Sequence, residues 1–298
     1  MFTIDPKQIP VPKLHHYLLG AIGPRPIAFA STIDKNGNNN LAPFSFFNVF
    51  SANPPILIFS PARSGRTNKT KDTYNNIKSH QEVVINVVNY NIVHQMSLAS
   101  SPFPSDINEF KKTGLTELDS ESVLPKRVAE SPVQFECKVI EIKELGKEGG
   151  AGNLIICEVL KIHINQNILN ENEMIDQKKI DLVSRMGGNW YCRADNNSMF
   201  EIKKPITSIG IGVDKIPNDI LNSKILSGND LGQLGGIEEL PNENDVNDFK
   251  LIELSDLFVT LEDDPNKLEE ELHKQAKELL LENKLKEAWM TLLAFNNG

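Results

Sequence analysis

Residues 24–60 read PRPIAFASTIDKNGNNNLAPFSFFNVFSANPPILIFS. Residues 25–33 are strand-like, and Asp34-Lys35-Asn36-Gly37 ends them with strong turn chemistry. Strand character resumes over 41–51, where Phe44, Phe46, Phe47 and Phe50 cluster. Asn53-Pro54-Pro55 turns the chain again, and 56–60 reads as a buried strand. Three strands in succession with no helix between them point to antiparallel pairing. A doubly wound parallel sheet would need a helix after nearly every strand.

The flanking sequence extends this pattern. A polar, basic loop over 63–71 carries Arg63, Arg66, Lys69 and Lys71, and a short helix opens with Asp72 or Thr73 as its N-cap. The run VVINVV at 83–88 is β-branched and unbroken, as in a strand buried on both faces. Residues 91–100 and 107–113 read as short helices separated by Pro102 and Pro104, the second stopped by Gly114. Over 133–142, Val133, Phe135, Cys137 and Val139 fall on one face, with Gln134, Glu136 and Lys138 on the other. EGGAG at 148–152 is a hairpin turn and 154–164 its return strand. Six or seven strands with brief helices imply an antiparallel barrel or sandwich.

Composition narrows the function classes. The chain has 298 residues, 40% hydrophobic and 24% charged, as expected of a globular protein with a real core. No apolar run approaches the roughly 20 residues of a membrane-spanning helix. The first residues lack the basic-then-apolar order of a secretory signal, so a cytoplasmic protein without membrane association is expected. The net charge is −9, but residues 238–271 hold thirteen acidic residues against two lysines, a local −11, so the remainder nets +2. No basic stripe suggests a nucleic-acid partner. Cys137, Cys157 and Cys192 are scattered and read as small buried hydrophobes. The histidines show no metal-ligand spacing, so no metal site is expected, and the adjacent His15 and His16 read as surface or structural residues. No GxGxxG or Walker loop is present.

After residue 205 the character changes. Residues 205–264 look like a loop-rich acidic connector, and Asp264-Pro265 opens a helix with proline at its first position. Leu268, Leu272, Ala276, Leu279 and Leu280, then Leu285, Ala288, Trp289, Leu292 and Leu293, keep helical spacing on either side of Asn283. The expected organisation is a domain over 1–204, a connector over 205–264 and a helical hairpin over 265–298.

One ordered set of segments is more specific than the rest. It comprises PRPIAFAST (24–32), NLAPFSFF (40–47), the Pro54-Pro55 turn, KDTYNNI (71–77), and later SRMGGNWY (184–191). This order and spacing resemble the flavin-reductase-like FMN-binding proteins over about residues 10–195. The resemblance implies a mainly β fold, an antiparallel, Greek-key-like FMN-binding split β-barrel with short helices. It also implies FMN as cofactor, NAD(P)H as electron donor, and a homodimer with the flavin at its interface.

Residue chemistry fits that cofactor, which needs an apolar slot, polar edges and a cradle for its phosphate. Asn40, Leu41, Ala42, Pro43, Ser45, Phe46 and Phe47 can supply the slot, with Pro43 withholding a ladder donor. Ser60, Arg63, Arg66, Lys71 and Thr73, just before a helix N-terminus, suit the phosphate, and Ser31 and Thr32 end the first strand nearby. Arg185 and Tyr191 are carried over from the late segment. No acid–base catalytic residue is named, because a flavin carries the hard chemistry itself. Two alternatives stay open: a non-catalytic flavin-binding electron carrier, and a flavin-free scaffold with a partner-binding helical tail.

Overall fold

The computed structural model describes residues 1–202 and 204–295. The chain packs as two compact units, one spanning Met1–Phe200 and the other beginning at Glu201.

The first unit opens with helix α1 (Val11–Ala21) and four strands: β1 (Ala28–Ile33), β2 (Asn39–Phe44), β3 (Phe47–Ala52) and β4 (Pro55–Phe59). Helix α2 (Asp72–His80), strand β5 (Glu82–Val87) and helices α3 (Val93–Ala99) and α4 (Glu109–Thr113) follow. The short strands β6 (Glu117–Leu118) and β7 (Arg127–Val128) precede the long hairpin β8 (Val133–Glu144) and β9 (Asn153–Ile164). Helix α5 (Gln177–Ile180) and the small hairpin β10 (Val183–Arg185) and β11 (Tyr191–Arg193) complete it.

Seven strands form one sheet in the order β2-β1-β5-β8-β9-β4-β3, and every pairing in it is antiparallel. The two edge strands, β2 and β3, are consecutive in the chain, with only Ser45 and Phe46 between them. Three Cα steps cannot exceed about 11 Å. The opposite edges of the sheet must therefore approach one another there, so the sheet is rolled. No ladder joins β2 to β3 among the described residues, and the roll is not a closed barrel.

Alternation along β1 shows how both faces are filled. Ala28 and Ala30 join the cluster of Phe44, Phe59, Ile77, Val83, Ile85, Cys137, Ile155 and Cys157. Ile27 and Phe29 face the other way, into Leu41, Val88, Val93, Met96, Phe110 and Val128. Cys137 and Cys157 are fully buried as expected, and burial pushes both thiols up.

The alternation expected for residues 133–142 holds as far as Val139, with Phe135, Cys137 and Val139 packed on the core side, and a bulge then adds Ile140 to the strand. Glu136 lies on the opposite face, as expected, but it is fully buried because the segment at Glu121 and Ser122 covers that face. Its carboxylate accepts from the backbone N–H groups of Glu121 and Ser122 and meets His163 Nε2 at 2.7 Å. Helix α2 also differs from expectation. Neither Asp72 nor Thr73 is its cap: the N-cap position falls to Lys71, with no side-chain capping bond.

The second unit is helical: α6 (Asn218–Leu221), α7 (Gly228–Leu234), α8 (Glu243–Glu253), α9 (Ser255–Thr260), α10 (Pro265–Leu281) and α11 (Leu285–Leu293). Residues 205–264, expected to be loop-rich, thus carry four helices. Val246, Leu254 and the partly buried Phe249, Leu257 and Phe258 pack inward, so the acidic residues are the solvent faces of helices. A capping box at Ser227 and Asp230 starts α7, and Asn242 caps α8. The two helices read in the last segment are present and turn at Asn283, whose φ is 60°. Trp289 of α11 is fully buried among Ile220, Leu234, Ala276 and Leu280 and donates to Leu234 O at 3.1 Å. Residues 296–298, part of the expected hairpin segment, lie outside the described residues.

Candidate functional site

A cleft of about 360 Å³ opens where the rolled sheet fails to close. One wall is the free edge of β2 and the link beyond it, from Asn40 through Phe46. Ser60 and Ala62, just past β4, and Lys71, Asp72 and Thr73, at the start of α2, form a second. Residues 99–103 and Glu109 close one side, and His15 and Leu19 of α1 reach in from another. The volume falls within the roughly 300–1,000 Å³ typical of small-molecule sites.

The chemistry of the β2 edge follows from Pro43. In the register it pairs with Phe29, and lacking an N–H it cannot make a hydrogen-bonded pair. Antiparallel pairs alternate, so the bonded pairs are Ala30 with Ala42 and Thr32 with Asn40. The main-chain groups of Leu41 and Pro43 then point outward. The Leu41 N–H duly donates to Glu109 Oε2 at 3.0 Å. What the edge offers near Pro43 is carbonyl oxygen and no donor.

A buried polar chain runs behind this edge. Asn76 Nδ2 donates to Thr32 Oγ1 at 3.1 Å, and Thr32 in turn donates to Asn40 Oδ1 at 3.3 Å. Thr73 Oγ1 donates to the same oxygen at 2.9 Å. The Asn40 amide nitrogen then donates to both oxygens of Glu109, each at 3.3 Å. Asn40, Thr32 and Thr73 are thereby committed to one another and hold β1, β2 and α2 in register. Glu109 is only 6% exposed. Burial raises its carboxyl above the ordinary value, against the Leu41 N–H and the Asn40 amide, and the nearby Asp72 charge adds to the rise.

Ser60 has the opposite character. It is buried, and its hydroxyl has no partner among the described residues. A Cβ on Gly152 would lie 2.8 Å from that oxygen, so the backbone at Gly152 leaves it room. Asn153 alongside donates to Pro61 O at 2.8 Å and keeps its own buried carbonyl oxygen unpartnered.

The residues expected to form the site separate into three groups. Asn40, Ala42, Pro43, Ser45, Phe46, Ser60, Lys71 and Thr73 meet at the cleft. Ser31, Thr32, Leu41 and Phe47 lie behind its walls: Ser31, Thr32 and Leu41 are fully buried, and Phe47 packs against the core. Arg63, Arg66, Arg185 and Tyr191 do not line it. The Arg63 guanidinium is bound to Asn68 through Nε and Nη2, at 2.7 and 2.8 Å. Arg185 lies 4.5 Å over the Tyr191 ring within the β10–β11 hairpin.

Sequence reasoning missed His15, Leu19, residues 99–103 and Glu109. The His15 ring stands edge-on to Phe46, with centroids 6.4 Å apart. Arg25 explains the placement of α1. Its guanidinium donates to the Leu19 and Ile22 carbonyls at the end of that helix and to Met186 O. An arginine flanked by two prolines at the start of a buried strand was a legible sign of such a clamp.

Residues 21–180 match the model of the flavin reductase like domain. The chain belongs to the flavin reductase-like family. An uncharacterized protein of Aquifex aeolicus is 37% identical over 61% of this chain and 90% of its own. Nitrilotriacetate monooxygenase component B from Bacillus cereus is 27% identical, with a TM-score of 0.63 over 68% of this chain and 98% of its own. A Shewanella frigidimarina protein described as having a split barrel domain is 25% identical, with a TM-score of 0.56 over 66% of this chain and 96% of its own. The family match lies wholly within the first unit and contains all of the cleft lining except His15 and Leu19. No helix among the described residues is long and apolar enough to cross a membrane.

Proposed function

We propose that this chain is an FMN-dependent oxidoreductase that takes electrons from NAD(P)H and passes them to an acceptor. The observation that carries the reading is the unpartnered, buried Ser60 hydroxyl at the same cleft as Lys71 and the uncapped start of α2. A hydroxyl, an ammonium group and free helix N–H groups together suit a phosphate ester. Asp72 does not block this corner, because its carboxylate is drawn to the Ser105 hydroxyl at 3.1 Å. The β2 edge, with its outward carbonyls, suits the donor positions of a flat heterocycle, and Phe46 and Leu19 give that ring apolar walls.

The cleft residues fit the cofactor. Ser60, Lys71 and the first turn of α2 would hold the phosphate, and Ala42 through Phe46 would line the ring. Bound flavin supplies two-electron transfer. The protein's part is to orient the ring, exclude water with α1 and residues 99–103, and set the charge around it. The domain ends near residue 204, and the protein is cytoplasmic. It acts as a homodimer: Val49 and Phe50 on the β3 edge and Leu160 and Ile162 on β9 are exposed apolar residues that a second copy would cover. In the dimer, Arg185 and Tyr191 of each copy complete the site.

Adding NADH or NADPH to the FMN-loaded protein without oxygen tests the electron path. The flavin absorbance bleaches if the reading holds. Bound flavin that stays oxidised with both nicotinamides makes the chain a carrier instead.

A further inference from the structure

Glu109 is a charged group that neither the resemblance nor the phosphate cradle uses. Most buried carboxylates sit in ion pairs, but its hydrogen bonds come from the neutral Leu41 N–H and the neutral Asn40 amide. No ion pair to it is formed among the described residues. The other ionisable groups lining the cleft are His15, Lys71 and Asp72, and Asp72 lies close enough to repel it. A carboxylate in such surroundings is weakly screened and acts on whatever shares the cleft.

We propose that Glu109 is a charge-positioning residue of the flavin cleft: its carboxylate, fixed by Asn40 and Leu41, disfavours the negatively charged reduced flavin and so lowers the flavin's reduction potential. This rests on the flavin reading above and adds to it the residue that sets the driving force.

The charge balance is simple. Hydride transfer from reduced nicotinamide brings two electrons and one proton, so the flavin gains one negative charge while the nicotinamide loses one. A fixed anion at the cleft wall opposes that gain. The same anion holds the Asn40 amide and the β2 edge, so position and field come from one side chain. Protonating Glu109 removes the field without removing the group.

The test is spectroelectrochemical titration of the FMN-loaded full-length protein and of Glu109→Gln. Gln keeps an acceptor for the Leu41 N–H, and circular dichroism and FMN affinity report whether the fold and cleft survive. The expected result is a more positive potential in E109Q, by about tenfold in the equilibrium between reduced and oxidised flavin, or about 30 mV for a two-electron couple. An unchanged or more negative potential in a folded, FMN-binding E109Q overturns the proposal. The pH dependence gives a second arm. Lowering the pH through the titration of Glu109 should narrow the gap in bound-flavin potential between wild type and E109Q, because protonation removes the charge that E109Q already lacks. A gap that persists unchanged into acid overturns the proposal as well. Wild-type protein that takes up no flavin refutes the flavin reading itself, a distinct outcome.

Discussion

Replacing Lys71 with Met separates phosphate recognition from ring recognition. Lys71 lines the cleft beside Ser60 and Thr73, whereas Arg63 is held by Asn68 and Arg66 lies away from the cleft. The Lys71 backbone occupies the N-cap of α2, and its side chain makes no capping bond, so the substitution leaves the helix start intact. A charge-assisted hydrogen bond is worth about 1.5–3 kcal/mol. Lys71 is exposed, and solvent screening places its contribution at the lower end, about 1.5 kcal/mol. That is about a tenfold loss of affinity. Quenching of flavin fluorescence at fixed salt reads it directly, with riboflavin as the ligand that lacks the phosphate. FMN affinity should fall about tenfold, riboflavin affinity should stay the same, and the difference should shrink as salt is raised. Equal losses for both ligands would refute the phosphate assignment. A larger effect from Arg63→Met than from Lys71→Met would move the phosphate onto the basic loop.

Three other outcomes follow from the same geometry. Gly152→Ala sets a methyl 2.8 Å from Ser60 Oγ, so it should lower the melting temperature by an overpacking cost of about 1–3 kcal/mol and weaken FMN binding more than Ser60→Ala does; unaltered FMN affinity would show that Ser60 does not face the ligand. Glu136→Gln should cost about 1–3 kcal/mol at pH 7, because one of the two backbone N–H groups it satisfies loses its acceptor. Burial raises that carboxyl, but the Glu121 and Ser122 N–H groups and His163 outweigh it and hold it below its ordinary value. Its contribution is therefore present above the unfolded-state value and is lost as pH falls through the folded one, so urea titrations should show the mutant and wild type converging in acid, and a gap that stays constant would contradict this. A chain ending at Phe200 keeps the whole cleft and should bind FMN within about twofold of the full-length affinity; an insoluble or flavin-free product would contradict the division.

The sheet was legible because its signals are local. Turn residues at 34–37 and 148–152 and the unbroken run at 83–88 mark strands without reference to anything distant. Cleft residues adjacent in sequence were legible for the same reason: Asn40, Ala42 and Pro43 come from one strand, and Ser45 and Phe46 from the link that follows it. Glu109 and His15 were not, since each reaches the cleft from an element whose position depends on long-range packing. The commitment of Arg63 to Asn68 was hidden too, because a basic loop before a helix looks the same whether its charges face a ligand or each other. The burial of Glu136 was hidden because the segment that covers its face, at Glu121 and Ser122, reaches it only through tertiary packing. In residues 205–264 the acidity and glycines masked a helical spacing of apolar residues that starts at Val246.

The central claim is that flavin sits in the gap between the two unpaired edges of the rolled sheet. A crystal structure of the protein grown with FMN tests it most directly. The account predicts the ring against Ala42–Phe46 and the phosphate at Ser60, Lys71 and the first turn of α2. Flavin bound elsewhere, or turned so that its phosphate meets the Glu109 side of the cleft, would contradict it.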